Sequence, residues 1–204
     1  RSEGQEGTVP LPWPGMNRAI GGGLWPGIYL VVGGTGTRKT SLACQVALHA
    51  AERRFPVLYI SLEMNSLDLQ SRLLGLLSGR YWSRLQTGQL GPRNTRRLLA
   101  DYGPELAKLP LRAKYISPGD QYAAASLHSA MIEMRRMYPQ KRRGERPFLV
   151  ILDFLQLVGG DPKEDLRTRM GKAAYAAQEL ARLLDAAVIL LSSTSRQNYG
   201  TIDN

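Results

Sequence analysis

A glycine-rich segment lies where a strand-like run of apolar residues gives way to a helix-like run. Its residues are Gly33, Gly34, Thr35, Gly36, Thr37, Arg38, Lys39 and Thr40. They match the P-loop pattern G-x-x-x-x-G-K-[ST], except that Arg38 takes the place of the second glycine. Backbone N–H groups and a helix N-terminus face phosphate oxygens in such a loop, so the segment predicts a nucleoside triphosphate site. The alternative is a glycine-rich turn with an incidental lysine, which the flanking strand and helix disfavour.

Each residue type in this pattern has a physical task. We expect Lys39 to reach the β- and γ-phosphates of ATP, and the hydroxyl of Thr40 to bind Mg²⁺. Glycines allow the backbone to approach the ligand closely. The candidate nucleotide contacts are Gly33, Gly34, Thr35, Gly36, Thr37, Arg38, Lys39, Thr40 and Ser41.

Arg38 bears on the affinity of the predicted site. If its position requires a positive φ, a side chain there costs about 1–3 kcal/mol. Micromolar ATP binding is worth about 8 kcal/mol, so this strain is expected to weaken the site roughly ten- to a hundredfold without abolishing it. A guanidinium close to phosphate offsets part of the loss, whereas a side chain that fills the phosphate space would increase it.

Short apolar runs and helical patterns alternate along the chain. The predicted strands span residues 28–32, 57–62, 111–116, 148–152 and 187–191. The predicted helices span residues 40–53, 66–78 with Ser66 as N-cap, 93–102, 121–138 and 166–184. This alternation predicts an α/β fold with a mostly parallel central sheet and helices on both faces. Ligands of such sheets bind beyond the carboxyl ends of the strands.

Polar side chains follow several of these strands at that edge of the sheet. Asp153 ends the fourth strand, which is the Walker B arrangement for holding a water of the Mg²⁺ shell; the alternative is a turn or helix N-cap. Glu63 ends the second strand and can polarise the water that attacks the γ-phosphate or support a helix dipole; spacing alone does not decide. Ser192 and Ser193 can sense the γ-phosphate or form a hydroxyl-rich turn.

The chain has 204 residues and a net charge of +10. Its length fits one large domain, which we place at residues 16–204 behind a flexible, proline-rich lead-in at residues 1–15. The charge favours polyanions such as nucleic acid, with solubility as the alternative. No apolar run reaches the ~18–20 residues of a membrane span. The single cysteine, Cys44, lies in an apolar helical run. A lone cysteine cannot form an intramolecular disulfide, which fits a reducing cytoplasm.

Four further segments occur in a specific order. They are Ser61-Leu62-Glu63-Met64, Thr87-Gly88-Gln89-Leu90, Asp153-Phe154-Leu155-Gln156-Leu157 and Val188-Ile189-Leu190-Leu191-Ser192. With them, the chain from about residue 8 to its end resembles the C-terminal ATPase domain of DnaB-type replicative helicases. RecA- or KaiC-like ATPases share the P-loop, but the segments at 87–90 and 155–157 argue against them.

The resemblance implies a RecA-like P-loop NTPase core in a hexameric ring. It implies ATP-driven movement along single-stranded DNA in replication, with a primase or a helicase loader as a partner. Glu63 is then the catalytic glutamate, and Asp153 is the Walker B acid that meets Mg²⁺ through water. The loops at residues 159–169 and 195–204 are expected to face DNA. Their candidate phosphate contacts are Arg167, Arg169 and Arg196; the alternative is that these are solvated surface arginines.

Three departures from the family pattern motivate a second hypothesis, a weakly hydrolysing accessory module that binds nucleotide and DNA. Arg38 replaces the P-loop glycine, and Ser193 stands where the sensor segment of the family has glutamine. Relative to the family, we also expect the chain to be truncated at its C-terminal end, before the arginine finger.

Overall fold

The structure is a computed structural model, and it describes residues 7–80, 82–117, 129, 132–138, 146–153 and 163–193. Within these residues, five strands form one sheet in the order β1-β5-β4-β2-β3, and every neighbouring pair is parallel. The strands are β1 (Gly27–Gly33), β2 (Val57–Ser61), β3 (Leu111–Tyr115), β4 (Phe148–Asp153) and β5 (Ala186–Ser193). The predicted parallel α/β fold is therefore confirmed, and the strand boundaries differ from the predicted ones by at most two residues.

Helices connect the strands in the described part of the chain. They are α1 (Pro14–Ala19), α2 (Lys39–Glu52), α3 (Ser66–Ser78), α4 (Trp82–Gln86), α5 (Pro92–Lys108), α6 (helical residues 132–137) and α7 (Leu166–Leu184). The helix predicted at residues 121–138 lies largely outside the described residues. Among these residues, no helix combines the length and apolar character that crossing a bilayer requires.

The N-cap of α3 and the C-terminal end of α5 differ from the sequence-based expectation. The N-cap of α3 is Asn65 rather than Ser66, because the Asn65 side chain accepts a hydrogen bond of 2.9 Å from the Asp68 N–H. Helix α5 continues past the expected end at residue 102 and includes Pro104. Leu106 packs against the core beyond that proline, so tertiary packing outweighs the local cost of proline in a helix.

Part of the predicted lead-in belongs to the packed domain. Val9 and Leu11 are buried, and Val9 exchanges two backbone hydrogen bonds of 2.8 Å with Leu24. Packing therefore begins near residue 8 rather than at residue 16. A β-branched residue and a leucine between prolines are sufficient to anchor an otherwise polar segment.

The two faces of the sheet support separate hydrophobic clusters, because successive side chains of a strand point to opposite faces. Leu58, Val150 and Val188 project toward α7, whereas Tyr59 and Ile151 project toward α2. Alanines dominate the packed faces of both helices, including Ala43, Ala47, Ala173 and Ala177. Small side chains bring the helices close to the sheet, and the carboxyl ends of the central strands open toward the N-terminus of α2.

Strand β1 differs from the central strands. Its residues alternate in exposure, and Ile28, Leu30 and Val32 are 38%, 57% and 51% exposed. Within the described residues it pairs with β5 alone. The glycine-rich loop follows directly on this strand.

Candidate nucleotide-binding site

A cleft of about 570 Å³ lies at the carboxyl edge of the sheet. It brings together nine of the predicted site residues, namely Thr35, Gly36, Arg38, Lys39, Thr40, Ser41, Glu63, Asp153 and Ser193. These residues come from the β1–α2 loop, the start of α2 and the ends of β2, β4 and β5. The strands are parallel, so their carboxyl ends meet at one edge, and residues more than 100 positions apart face the same space.

The loop between β1 and α2 is held by its own polar groups. The Lys39 ammonium donates hydrogen bonds of 2.8 Å to the carbonyl oxygens of Gly33 and Gly34. The Thr37 hydroxyl donates to the Gly34 carbonyl at 2.8 Å. A Cβ on Gly33 would lie 2.7 Å from Thr37 Oγ1, which is too close for a side chain. Gly33, Gly34 and Thr37 thus shape the loop from behind the cleft.

Arg38 occupies a left-handed backbone conformation, with φ 64° and ψ 27°. The second glycine of the P-loop pattern is therefore missing at a position that needs positive φ, and a non-glycine residue there carries strain of about 1–3 kcal/mol. The Arg38 side chain is exposed and lines the cleft. Arg54 has a similar φ of 65° outside the cleft, which provides a comparison within the same chain.

Asp153 is almost completely buried, with 1% of its surface exposed. The Tyr59 hydroxyl donates to Asp153 Oδ2 at 2.7 Å, and the Thr40 side chain also hydrogen-bonds to this carboxyl. Burial raises the pKa of Asp153, although both hydrogen bonds and the charges of Arg72 and Lys39 act in the opposite direction. Burial also raises the pKa of the Tyr59 phenol, so its hydroxyl keeps the proton that it donates.

The Thr40 hydroxyl and the Asp153 carboxylate fit a magnesium ion. Both offer oxygen, which Mg²⁺ prefers, and Mg²⁺ usually takes one or two protein ligands and completes its shell with water and substrate phosphates. Within the described residues, no group of three or more His, Cys, Asp or Glu side chains could hold a metal by itself. The donor set therefore suits a metal that arrives with a phosphate ligand.

Glu63 lies two residues beyond the last residue of β2, and its side chain is exposed to the cleft. The Ser61 hydroxyl accepts a hydrogen bond of 2.8 Å from the Met64 N–H, which shapes this turn. Helix α3 begins at Ser66. Glu63 precedes the N-cap Asn65 by two positions, and both interpretations of its role stay predictions.

Ser192 and Ser193 are the last residues of β5, and Ser193 is the register partner of Gly33 in β1. The hydroxyl-rich turn is therefore excluded for these two residues. Ser193 lines the cleft next to the glycine-rich loop, which is the position expected for a phosphate sensor.

The two DNA candidates within the described residues, Arg167 and Arg169, do not line this cleft. Arg167 and Arg169 lie in the first turn of α7, whose N-cap Asp165 accepts a hydrogen bond of 2.7 Å from the Thr168 N–H. Arg167 is exposed and Arg169 is half-buried. Arg196 lies outside the described residues.

Sequence reasoning missed Tyr59, Arg72 and Ser83. Arg72 and Ser83 line the cleft, and the charge of Arg72 lowers the pKa of Asp153. A signal for Arg72 was present, because it lies between the buried Leu69 and Leu73 on the apolar side of a helix, where a cation is unusual. Tyr59 carried a weaker signal, since a phenol in a buried strand needs a hydrogen-bond partner.

Comparison with known proteins agrees with this architecture. Residues 13–203 match the family described as DnaB-like helicase C terminal domain. The replicative DNA helicase DnaB of Geobacillus stearothermophilus is 25% identical over 197 residues, which cover 95% of this chain and 41% of that protein. DnaB of Buchnera aphidicola is 29% identical over 160 residues, which cover 78% of this chain and 32% of that protein. The chain thus spans well under half the length of these relatives.

Two solved structures share the fold. One, described as an ATPase domain, superposes with a TM-score of 0.80 at 20% identity, covering 96% of this chain and 67% of that one. The other, a DnaB-like replicative helicase solved in a study of its interactions with primase, superposes with a TM-score of 0.82 at 20% identity. That match covers 99% of this chain and 47% of the other. The predicted RecA-like fold is confirmed.

Proposed function

The chain belongs to the family of DnaB-like helicase C-terminal domains, and we propose that it hydrolyses Mg-ATP to drive movement along single-stranded DNA in replication. The observation that carries this proposal is the meeting of Lys39, Thr40, Glu63 and Asp153 in one cleft. These four side chains offer a phosphate contact, two oxygen ligands for a metal and a base. The chain supplies them at or after the ends of three different strands, and phosphoryl transfer depends on such positioning of charged groups.

Phosphate binding is assigned to the glycine-rich loop and the start of α2. The Lys39 ammonium donates hydrogen bonds to the Gly33 and Gly34 carbonyls. These bonds keep its positive charge within the glycine-rich loop. The N-terminus of the 14-residue helix α2 opens at the same point and favours an anion. Ser193, the register partner of Gly33, contributes a hydroxyl next to the loop.

Thr40 and Asp153 would hold Mg²⁺, Thr40 directly and Asp153 through water. Bound there, the ion neutralises charge on the phosphates and orients them. The hydrogen bond between the two side chains keeps their oxygens together before any ligand arrives. Such preorganisation lowers the reorganisation that binding would otherwise require.

Glu63 is assigned to the attacking water. Its exposed carboxylate can accept a hydrogen bond from a water that approaches the γ-phosphate. It can take the proton of that water as the new P–O bond forms and the bond from the γ-phosphorus to the bridging oxygen breaks, with ADP as the leaving group. The buried Asp153 and the exposed Glu63 therefore have separate tasks, set by their surroundings. Lys39 remains in place for the charge that develops on the leaving phosphate.

Single-stranded DNA is the proposed track, with Arg167, Arg169 and Arg196 as phosphate contacts. The net charge of +10 favours a polyanion. We propose that the parent protein acts in the cytoplasm as a homo-hexamer and meets a primase or a helicase loader. The related structure solved in a study of primase interactions motivates the primase, and the family motivates the ring.

Phosphate release from ATP by the full-length parent protein tests the proposal. We expect release that needs Mg²⁺, rises when single-stranded DNA is added, and is lost in Lys39→Ala. Calorimetry with ATP distinguishes the helicase ATPase from the alternative of a weakly hydrolysing accessory module, which the strained Arg38 favours. Binding of ATP and DNA without turnover, with turnover restored by Arg38→Gly, would establish that alternative instead.

A further inference from the structure

Tyr59 contacts the proposed Walker B acid from a position that the catalytic scheme does not use. It lies in β2, a central strand, and none of its surface is exposed. Its hydroxyl donates to Asp153 Oδ2 at 2.7 Å across 94 positions of sequence. This is a short hydrogen bond between a neutral donor and a carboxylate, a stronger kind than a bond between two neutral groups.

The strand register explains how the two groups meet. Tyr59 is the register partner of Ile151 in β4, and Asp153 follows Ile151 by two positions. Alternate residues of a strand share a face, so Tyr59, Ile151 and Asp153 all point toward α2. The ring of Tyr59 spans the diagonal from its own position to the end of β4, where the carboxylate lies.

Helix α2 closes the same side of the sheet. The Cys44 thiol, buried in α2, contacts the phenolic oxygen of Tyr59 at 4.0 Å, with the thiol as donor. The Thr40 side chain, one helical turn earlier, bonds to the Asp153 carboxyl. The phenolic oxygen of Tyr59 accepts from the Cys44 thiol and donates its single proton to Asp153. Hydrogen bonds in such a chain strengthen one another.

We propose that Tyr59 is a positioning residue that fixes the Asp153 carboxylate in the orientation needed to hold the water shell of Mg²⁺. Phenylalanine would fill nearly the same volume in β2, so packing alone does not require the hydroxyl. Without the hydroxyl, a buried carboxylate loses one hydrogen bond and one constraint on its rotation. This inference rests on the proposed function, since it assigns a role within the Mg-ATP site.

Tyr59→Phe in the full-length parent protein tests the proposal by calorimetry. ADP is titrated into the protein in EDTA and then at a series of Mg²⁺ concentrations. Mg²⁺ should increase the affinity for ADP, and we compare the Mg²⁺ concentration at which half of this increase is reached. We expect this concentration to rise about tenfold in Tyr59→Phe, a typical effect of removing a hydrogen bond that orients a metal-binding residue. The affinity for ADP in EDTA should remain unchanged. Both measurements report only folded protein, so a partial loss of stability does not obscure the result.

Tyr29→Phe is the matched control. Tyr29 lies in β1, and its hydroxyl donates to the Trp25 carbonyl at 3.0 Å, away from Asp153. We expect no change in either titration. A second comparison introduces Tyr59→Phe into Asp153→Asn, where the shift in Mg²⁺ dependence should disappear, because the group being positioned is gone.

Two results would overturn the inference. One is a Mg²⁺ dependence in Tyr59→Phe that matches that of Tyr29→Phe. The other is an equal loss of ADP affinity with and without Mg²⁺, which would indicate a general distortion of the loop. A wild-type protein that gains no affinity for ADP from Mg²⁺ would instead count against the proposed function itself, so the two failures are distinguishable.

Discussion

Ser61 and Asp153 are register partners at the carboxyl ends of β2 and β4. The pairing continues one step further, because the Leu62 N–H donates to the Asp153 carbonyl at 2.6 Å. Glu63 is the next residue, so the chain leaves β2 with this side chain already at the edge where Asp153 ends its strand. The sheet register therefore fixes the point from which the short turn carrying the proposed base leaves β2, next to the proposed metal acid.

Replacing Glu63 with glutamine should separate binding from hydrolysis. The amide keeps the size of the side chain but cannot accept a proton, and loss of a general base lowers rates by roughly 10²–10⁴-fold. We expect Glu63→Gln to bind ATP with wild-type affinity in calorimetry and to release almost no phosphate. Glu105→Gln, an exposed position in α5, is the control and should behave as wild type. Weakened ATP binding in Glu63→Gln would argue against this role.

Asp153→Asn should abolish turnover without lowering stability. Burial raises the pKa of Asp153, so the folded state binds a proton more tightly than the unfolded chain. Stability is then lost as pH rises from the unfolded pKa through the folded one, and asparagine removes this loss. We expect the Tm of the variant at pH 7 to equal or exceed that of wild type, with a smaller difference near pH 4.

Thermal unfolding followed from pH 4 to pH 7 checks this expectation. Asp101→Asn is the control, because Asp101 is exposed and forms a surface ion pair with Arg97 at 3.7 Å. A lower Tm for Asp153→Asn at pH 7 would mean that the ionised carboxylate stabilises the fold, contrary to our interpretation.

Arg38→Gly should stabilise the domain. Arg38 already has φ 64° in the folded chain, so its strain lowers the stability of the fold. We therefore expect the effect of this strain on ATP affinity to be smaller than a ten- to hundredfold loss. Relief of about 1 kcal/mol corresponds to a rise in Tm of roughly 2–4 °C for a chain of this size. Differential scanning calorimetry measures the shift.

Two companion variants separate strain from charge. Arg54→Gly removes similar strain outside the cleft and should raise Tm without changing ATP affinity. Arg38→Ala keeps the strain but removes the guanidinium, so it should leave Tm unchanged and weaken ATP binding by about fivefold, the equivalent of ~1 kcal/mol for an exposed charge pair. Equal Tm values for Arg38→Gly and Arg38→Ala would contradict the strain argument.

Cys44 should be unreactive in the folded protein. Its side chain is fully buried, and desolvation by burial raises its pKa to about 12, so the nucleophilic thiolate is absent at about pH 8. A colourimetric disulfide reagent should detect no thiol in native protein and one thiol per chain in denaturant, because Cys44 is the single cysteine. Rapid reaction of the native protein would show that α2 opens readily from the sheet.

The sequence predicted the strands well for a physical reason. Both faces of the central sheet are buried, so β2, β4 and β5 are continuous apolar runs, and the chemically active residues fall at their ends. The end of α5 was missed because Gly103 and Pro104 suggest a stop, whereas the burial of Leu98 and the packing of Leu106 carry the helix past them.

The sequence predicted which residues form the site better than it predicted the contacts between those residues. Hydrophobic patterning indicates that Tyr59 is buried, but its partner Asp153 is 94 positions away and is set by strand register. Arg72 likewise acquires its importance from the approach of α3 to the end of β4. For Arg38, the pattern identified the position, and the backbone angle supplied the reason that the substitution matters.

In the described part of the chain β1 is paired on one side only, and this has a consequence for local opening. Such a strand releases its amide hydrogens to solvent at a lower free-energy cost than strands flanked on both sides. The loop expected to bind phosphate is continuous with this strand. The order of β1 therefore depends on its pairing with β5 and on the ligand bound to the loop. Binding of a ligand to the loop should therefore also slow the hydrogen exchange of the β1 amides, because both report on the same local opening equilibrium.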